Sequence, residues 1–165
     1  MEYKIDKMID SDWEQVQAIY IQGIQTKNAT FEEAAPSWES WNKGHIEVCR
    51  FVVREGEKIH GWAALSPTSD RRAFAGIAEL SIYLRLESAG KGIGILLIQK
   101  MIEASEAAGF WTLQSGIFPE NVSSMKLHEK AGFRIIGIRE RMGKLNGVWR
   151  DVAMMERRSK IVGMD

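Results

Sequence analysis

The sequence predicts an α/β domain built on a mixed sheet, and two patterns of apolar residues lead to that prediction. Segments that alternate apolar and polar residues are typical of strands, and segments with apolar residues every three to four positions are typical of helices. They follow one another as strand, two helices, three strands, helix, strand, helix and two strands, without repeat or linker. Because 165 residues suit one domain, residues 1–165 are expected to form a single unit.

The first third of the chain predicts one strand and two helices. A short strand is expected over residues 3–8, and Asp10 to Asp12 offer N-cap oxygens for the next helix. Residues 28–37 then break the regular pattern, and Trp38 with Trp41 indicates a short second helix. The first helix has an apolar stripe at roughly helical spacing, made of Trp13, Val16, Ile19, Tyr20 and Ile24.

The middle of the chain predicts three strands. Residues 51–54 and 59–65 flank a polar turn and are typical of a hairpin, which Ser66-Pro67 ends. The next strand, residues 77–86, alternates two sets of side chains that must face opposite sides of the sheet. The apolar set is Ala78, Leu80, Ile82, Leu84 and Leu86, and the other set is Glu79, Ser81, Tyr83 and Arg85.

The last part predicts a helix, a strand, a second helix and two strands. Gly109 is expected at the C′ position of the first helix, residues 93–108. Residues 111–118 predict a strand, and Pro119-Glu120-Asn121 introduces a helix through Ala131. Residues 133–138 and 148–155 predict strands joined through Gly143 to Gly147. The buried stripe of the first helix is Ile93, Leu97, Met101, Ala104 and Ala108.

Composition excludes several classes of protein. The formal net charge is zero, which gives no attraction to nucleic acid or to an anionic membrane. No apolar run approaches the roughly 20 residues of a membrane span, and the acidic N-terminal residues are unlike a signal peptide. A single cysteine, Cys49, forms no internal disulfide and fits a reducing cytoplasm. A cytoplasmic location is therefore expected.

A glycine-rich turn, residues 90–94, lies between a predicted strand and a predicted helix. Backbone N–H groups at a helix N-terminus bind phosphate, and glycine lets a diphosphate approach the main chain. The turn lacks the Gly-Lys-Ser/Thr end of a Walker A loop. Leu97 also replaces the third glycine of a dinucleotide fingerprint. A plain tight turn into a helix remains the alternative.

A second motif follows about 30 residues later. Asn121, Ser124 and His128 are spaced i, i+3 and i+7, so they share one helix face. Asn121 and Ser124 are also ordinary residues for a helix N-terminus, and capping does not exclude a role in binding. A glycine turn followed by Asn-x-x-Ser-x-x-x-His-x-x-x-Gly-Phe resembles the GNAT superfamily of N-acetyltransferases, from about Glu79 to Phe133. The resemblance implies a mostly antiparallel mixed sheet flanked by helices.

More narrowly, the chain is similar to the phosphinothricin and methionine sulfone/sulfoximine acetyltransferase branch. Short matching segments in the right order carry this similarity: residues 30–32, Ser66-Pro67 with Arg72, residues 79–84, 127–129 and 147–152. One position departs from the superfamily pattern, because Ala89 replaces the usual Gln or Arg at the start of the glycine turn. Weaker binding of the CoA pyrophosphate is therefore expected, with Lys91 supplying part of the missing charge.

The resemblance implies acetyl-CoA as co-substrate and assigns the residues that hold it. Main-chain groups of Ile82, Tyr83 and Leu84 would contact the pantetheine arm, and one N–H would polarise the thioester carbonyl. The pyrophosphate would lie on the glycine turn, and Asn121 with Ser124 would contact the cofactor near its thioester end. The residues assigned to the turn are Gly90, Lys91, Gly92, Ile93, Gly94 and Ile95.

Glu79 and His128 are the candidate catalytic residues. Glu79 falls at the position of the family's general base, and a raised pKa would suit that role; a solvated carboxylate on the open sheet face is the alternative. His128 replaces a tyrosine common in the superfamily. Its near-neutral pKa suits protonation of the CoA thiolate or the role of base, unless it is a core or surface histidine.

The remaining candidates concern the acceptor amine. Phe31 and Glu32 match the branch's pocket loop, and Arg72 could pair with a substrate carboxylate or be an ordinary loop arginine. Trp149 could be a core or a dimer residue. His45 and His60 lack the spacing of metal ligands, so no metal site is expected. Cys49 suits a buried small hydrophobic residue better than a nucleophile, which favours direct transfer in a ternary complex.

The sequence thus predicts an acetyl-CoA-dependent N-acetyltransferase that acts on the α-amine of a small amino-acid-like substrate. Phosphinothricin, methionine sulfone and methionine sulfoximine represent that class, and the branch implies a homodimer. Two alternatives stay open. One is a GNAT enzyme for another amine, such as a polyamine, an aminoglycoside or a protein N-terminus. The other is a CoA-binding regulator without activity, for which the absent Gln or Arg at Ala89 is the argument.

Overall fold

The computed structural model describes residues 2–165, in which seven strands form one sheet. The strands are β1 (Lys4–Lys7), β2 (Arg50–Glu55), β3 (Lys58–Pro67), β4 (Ile77–Leu84), β5 (Thr112–Ile117), β6 (Arg134–Leu145) and β7 (Val148–Arg158). The α-helices of the described residues are α1 (Trp13–Gln25), α2 (Trp38–Gly44), α3 (Ile93–Ala107) and α4 (Val122–Lys130). The predicted order of elements is therefore confirmed.

The sheet is mixed and mostly antiparallel, as expected. Its strand order is β1-β2-β3-β4-β5-β7-β6, and β4 with β5 is the parallel pair. That pair is short: it joins Ile77 to Thr112, Ala78 to Leu113 and Glu79 to Gln114, and ends there. Beyond Glu79, β4 pairs with β3 alone, and β5 pairs with β7 alone. The two strands therefore diverge, and a cleft opens between them in the middle of the sheet.

Helices cover both faces of the sheet. Helix α3 packs its residues Ile93, Leu97 and Met101 on one face, against side chains such as Leu65 and Leu80. Helices α1 and α2 cover the opposite face, where the rings of Trp41 and Trp62 meet edge to face. Alternation along β4 sends Leu80 and Ile82 toward α3 and Tyr83 toward α1. Glu79 and Ser81 share the face of Tyr83, as the sequence pattern predicts.

Two predictions at helix ends fail for identifiable reasons. The Asp12 carboxylate does not cap α1, because it accepts the N–H of Ile9 at 3.0 Å and forms an ion pair with Arg54 at 3.0 Å. Ala108 is exposed instead of buried, because α3 ends at Ala107 and Ala108 is its C-cap. Gly109 has a φ of 91°, which confirms its predicted C′ position.

Strand β4 ends at Leu84, two residues before the predicted end. The N–H of Arg85 still donates to the carbonyl of His60 at 2.8 Å. After Arg85 the chain turns into a 3-10 helix, Leu86–Ser88, and the N–H of Leu86 donates to Gln22 Oε1. Leu86 is 58% exposed, so the predicted apolar face of β4 stops at Leu84.

The last two strands form a longer hairpin than predicted. β6 runs through Leu145, and the turn consists of Asn146 and Gly147, both with positive φ, as in a type I′ turn. Gly143 is therefore inside β6 and not in the turn. A bulge before it, at Arg141, is held by Asp151, whose carboxylate accepts the N–H of Arg141 at 2.8 Å. Trp149 is 48% exposed, which excludes it from the core.

Candidate active site

The cleft between β4 and β5 has a volume of about 450 Å³. Its walls come from β4, β5, α4, the β6–β7 hairpin and the α1–α2 loop, which we define as residues 26–37. Helix α1 and strand β3 add one residue each, Tyr20 and Ser66. On the cleft side of β4, the main-chain groups beyond Leu80 have no strand partner. Eight predicted site residues line the cleft: Phe31, Glu32, Glu79, Ile82, Tyr83, Asn121, Ser124 and His128.

Glu79 occupies the point at which the two strands separate. It pairs with Ser66 on β3 and with Gln114 on β5, which is the last parallel pair. Its side chain is exposed to the cleft, and among residues 2–165 the carboxylate has no hydrogen-bond or ion-pair partner. Partial desolvation by the cleft walls raises the pKa of Glu79. A carboxylate with these properties can accept a proton from a group bound in the cleft.

His128 is buried at the base of the cleft, and both ring nitrogens have partners. Nδ1 lies 2.8 Å from the carbonyl oxygen of Ser124, which can only accept, so this nitrogen carries a hydrogen. Nε2 lies 3.1 Å from Ser115 Oγ and, in the neutral ring, accepts the hydroxyl hydrogen. Burial lowers the pKa of His128. The ring is therefore neutral near pH 7, and Ser115 covers its acceptor nitrogen.

The glycine turn has the geometry of an anion site but lies outside the lining of the cleft. Gly90 and Gly92 have φ values of 76° and 80°, and no atom lies within 4 Å of a Cβ built on either. Gly92 is the N-cap of α3, so the first N–H groups of the helix, at Ile93 to Ile95, lack helical acceptors. Packing against α4 accounts for the glycine at position 94, because a Cβ there would lie 3.1 Å from the Leu127 side chain.

The side chain of Asn121 connects α4 to the α1–α2 loop. Its Oδ1 accepts the N–H of Ser124 at 3.3 Å and so caps α4. Its Nδ2 donates to the carbonyl oxygen of Asn28 at 3.1 Å. The capping function considered for Asn121 is therefore present, and one amide hydrogen remains for another acceptor. Contacts of Asn121 and Ser124 with a cofactor stay predictions.

The predicted acceptor residues are not all at the cleft. Phe31 and Glu32 line it, whereas Arg72 lies on an exposed 3-10 helix, Arg72–Phe74, outside the lining. Leu84, Lys91 and the other turn residues also lie outside it. The charged side chains of the lining are the two carboxylates Glu32 and Glu79, and no lysine or arginine of the described chain contributes to it.

Sequence reasoning missed several residues of the cleft. Tyr20 belongs to the apolar stripe predicted for α1, and its ring also stacks on Tyr83 with centroids 5.0 Å apart and lines the cleft. Burial raises the pKa of both tyrosines. The alternation of side chains along β5 gives the face on which Ser115 lies, but it does not show that α4 packs there and brings His128 into contact with Ser115. The other missed lining residues include Thr30, His45, Ser66, Ser81, Met142 and Met154.

Comparison with known proteins agrees with this geometry. The family model described as "Acetyltransferase (GNAT) domain" matches residues 5–154. The chain belongs to the GNAT acetyltransferase family. Phosphinothricin N-acetyltransferase of Streptomyces coelicolor is 32% identical over 139 residues, which are 81% of this chain and 79% of that protein. The similarity to the phosphinothricin and methionine sulfoximine/sulfone branch is thereby confirmed.

Two further relatives belong to the same branch. The L-methionine sulfoximine/L-methionine sulfone acetyltransferase of Pseudomonas paraeruginosa is 32% identical over 99 residues, or 60% of this chain. The match spans 58% of that relative's length. A GNAT superfamily phosphinothricin acetyltransferase from Sinorhizobium meliloti, solved in complex with acetyl-CoA, superposes with a TM-score of 0.88 at 28% identity. That superposition covers 100% of this chain and 92% of the other.

Neither a membrane-spanning helix nor a cluster of metal-binding side chains is present in residues 2–165. None of the helices in this range is long and apolar enough to span a membrane. The histidine, cysteine, aspartate and glutamate side chains of the same range form no group of three or more that could hold a metal ion.

Proposed function

We propose that residues 1–165 act as one N-acetyltransferase domain that transfers an acetyl group from acetyl-CoA to a small primary amine. The observation that carries the proposal is the free carboxylate of Glu79 at the point where β4 and β5 separate. Beside it, β4 offers main-chain groups that no other strand uses. The acetyl-CoA complex of the related Sinorhizobium meliloti enzyme supports the choice of co-substrate.

In this proposal the pantetheine arm extends beside Ile82–Leu84, and the pyrophosphate binds the N-terminal amides of α3. Glu79 accepts a proton from the ammonium form of the acceptor, directly or through water. The neutral amine then attacks the thioester carbonyl, and a main-chain N–H of β4 stabilises the developing oxyanion. Collapse of the tetrahedral intermediate breaks the C–S bond, the attacking nitrogen loses its second proton to give the amide, and the CoA thiolate takes up a proton.

His128 and Ser115 are the candidates for delivering that proton. In the neutral ring Nε2 carries no hydrogen, so His128 would first take up a proton at Nε2, from solvent or from the acceptor nitrogen. Ser115 Oγ, 3.1 Å away and also in the lining of the cleft, would then accept from Nε2–H and give its own hydrogen to the thiolate. A direct transfer without a covalent acetyl-enzyme is supported by the place of the cysteine. Cys49 is buried, is absent from the lining of the cleft, and has a thiol pKa that burial raises.

For the acceptor, we propose the α-amine of an amino-acid-like compound of the phosphinothricin or methionine sulfone/sulfoximine type. The names of the related enzymes support this class. The carboxylate of such a substrate would need a cation, and Arg72 is the candidate that the family motif supplies. Because Arg72 lies outside the lining, it would have to reach the carboxylate at the mouth of the cleft.

A cationic amine is the second candidate acceptor, and the charge of the cleft favours it. Glu32 and Glu79 are the charged groups of the lining, and together they attract a protonated amine and repel a carboxylate. A polyamine or aminoglycoside would suit that charge. The net charge of the chain is zero, but the local charge in the cleft is the quantity that an acceptor meets.

We also propose a cytoplasmic homodimer. Strand β6 is at the edge of the sheet, and it exposes Ile135, Ile136 and Ile138, each 45–48% accessible. An edge strand with exposed apolar side chains is suited to pairing with a second copy. The reducing cytoplasm suits a chain whose single cysteine is buried and unpaired.

Release of the CoA thiol from acetyl-CoA tests the function and the acceptor together. Phosphinothricin, methionine sulfone and methionine sulfoximine are offered separately, beside spermidine and kanamycin. Release with an amino-acid analogue that is lost in Arg72→Ala supports the first acceptor class. Release with spermidine or kanamycin alone, reduced by Glu32→Gln, supports the second. Acetyl-CoA binding without release for any amine would contradict both acceptor proposals.

A further inference from the structure

The α1–α2 loop supplies Thr30, Phe31 and Glu32 to the cleft, yet it contains no regular secondary structure. A loop can define an acceptor site only if other elements fix its position. Its own hydrogen bonds are local ones, such as the N–H of Glu32 to Thr30 Oγ1 at 3.1 Å. It is joined to α1 by a hydrogen bond from Gln17 Nε2 to the carbonyl oxygen of Pro36, at 3.4 Å near the end of the loop. The start of the loop is held by contacts from the β6–β7 hairpin and from the turn before α4.

Arg150 on β7 makes most of these contacts. Its Nη1 donates to the carbonyl oxygen of Lys27 at 2.8 Å, and its Nη2 donates to Asn28 Oδ1 at 2.6 Å. Nη2 also lies 3.4 Å from the Glu120 carboxylate. The Arg150 side chain is 13% exposed, so these bonds are largely shielded from water. One guanidinium group thus joins β7, the start of the loop and the turn before α4.

The same guanidinium also supports the loop through aromatic contacts. Its Cζ lies 4.0 Å from the centre of the Phe118 ring, in cation–π geometry. Phe118 in turn meets the ring of Phe31 edge to face, with centroids 4.9 Å apart. Across the hairpin, Arg150 pairs with Gly143, whose lack of a side chain makes room for Phe31. The two residues of this cross-strand pair therefore contact the loop at different points: Arg150 at residues 27–28 and Gly143 at Phe31.

We infer that Arg150 is a positioning residue that sets the acceptor specificity of the cleft by fixing the α1–α2 loop. This inference rests on the proposed function, because it concerns the acceptor half of the same site. Arg150 does not line the cleft and touches no reacting atom. Lysine cannot replace it fully, because an ammonium lacks the planar fork that reaches Lys27 and Asn28 and stacks on Phe118.

Steady-state kinetics of Arg150→Ala and Arg150→Lys test the inference with the amine that the wild type acetylates fastest. We expect the KM for the amine to rise about tenfold in Arg150→Ala, which corresponds to about 1.4 kcal/mol, the scale of one hydrogen bond to a charged group. The KM of Arg150→Lys for the amine should lie between those of the wild type and of Arg150→Ala. The KM for acetyl-CoA and the pH profile of kcat should not change. Arg134→Ala is the matched control, since Arg134 pairs with Glu156 at the exposed hairpin edge.

Hydrogen exchange measures the loop without any acceptor. Peptides within residues 26–37 should exchange faster in Arg150→Ala, while α3 peptides keep the wild-type rate. If Arg150→Ala does not fold, Asn28→Ala removes one acceptor of the guanidinium and should give the same selective rise in amine KM. Where both fold, the effect of Asn28→Ala should vanish in the Arg150→Ala background.

Three outcomes would overturn the inference. The first is an equal rise in both KM values, which indicates a general structural role. The second is unchanged exchange of the loop in a folded Arg150→Ala protein. The third is an effect of Asn28→Ala that is independent of Arg150. Absence of any acetylation by the wild type would instead contradict the proposed function, and the exchange measurement would still decide whether Arg150 fixes the loop.

Discussion

Gly143 offers a direct test of whether Phe31 shapes the acceptor end of the cleft. A Cβ added at Gly143 would lie 3.0 Å from Phe31 Cε1 and 3.2 Å from Cζ. Carbon atoms in ordinary contact are about 3.5–4.0 Å apart, so the ring must move by about 0.5–1 Å. The ring cannot move toward Phe118, because the two rings already meet edge to face with their centroids 4.9 Å apart. The ring should therefore move toward the cleft and narrow it.

Gly143→Ala should thus change specificity more than stability. Overpacking of a core typically costs about 1–3 kcal/mol, and we expect about 1 kcal/mol here because the added Cβ meets only the outer edge of a side-chain ring. A loss of that size lowers the melting temperature by about 2–4 °C. Gly137→Ala on the same strand is the matched control, since nothing lies within 4 Å of its Cβ and neither glycine has positive φ. A chain-entropy gain of about 0.4–1 kcal/mol is expected at both positions, so the cost of overpacking is the difference in stability between Gly143→Ala and Gly137→Ala.

The assay compares kcat/KM for a bulky and a compact amine that the wild type acetylates. In Gly143→Ala the ratio of the two constants should move toward the compact amine, and in Gly137→Ala it should not. A ratio equal to that of the wild type, in a Gly143→Ala protein that shows the expected loss of stability, would refute the reasoning. Phe31 would then be an anchor of the loop and not a wall of the acceptor site.

Three further predictions concern pH and packing. His128 is buried in its neutral form, and its pKa is lowered in the folded state. The free energy of unfolding is therefore at its full value above the pKa of the unfolded chain and falls as the pH drops through the folded pKa. His128→Gln should remove this part of the pH dependence between about pH 7 and 5, where one histidine contributes at most about 1.4 kcal/mol per pH unit to the free energy measured by chemical denaturation. Glu79 has a raised pKa, so its ionised form costs stability as pH rises through that pKa. Glu79→Gln should therefore melt higher than the wild type at pH 7 and equally at acidic pH, and the difference should be small because solvent screens this exposed carboxylate. Gly76→Ala would place a Cβ in severe overlap with the edge of the Trp111 ring and should destabilise the fold by about 3 kcal/mol or more, as measured by denaturant titration. Gly44→Ala, where the Cβ meets open space, should not destabilise the fold.

Local patterns of the sequence predicted the fold well because most strands and helices here follow their own periodicity. The two faces of β4 and the C′ glycine at Gly109 are examples. Failures occur where a tertiary contact replaces a local one. Asp12 is a good capping residue, but Arg54 on β2 pairs with its carboxylate. Leu86 continues the alternation of β4, but Gln22 of α1 accepts its N–H and the strand stops earlier.

The candidate site was predictable in its motif residues and not in its walls. Glu79, Asn121, Ser124 and His128 belong to short motifs, and all four line the cleft. Met142 reaches the cleft only because β6 extends past its predicted end and bulges at Arg141. Arg150 contacts Lys27 and Asn28 across more than 120 residues of sequence. Contacts at such separations depend on strand pairing, which periodicity does not encode.

The most direct test of the central claim is transfer by Glu79→Gln compared with the wild type, alongside calorimetric binding of acetyl-CoA. If Glu79 is the general base, the variant should bind acetyl-CoA with unchanged affinity and lose roughly 10²–10⁴-fold in kcat at neutral pH. Its kcat/KM should also lose the acidic limb that the wild type shows near the raised pKa of this carboxyl. Wild-type turnover in a variant that retains acetyl-CoA binding would contradict the account.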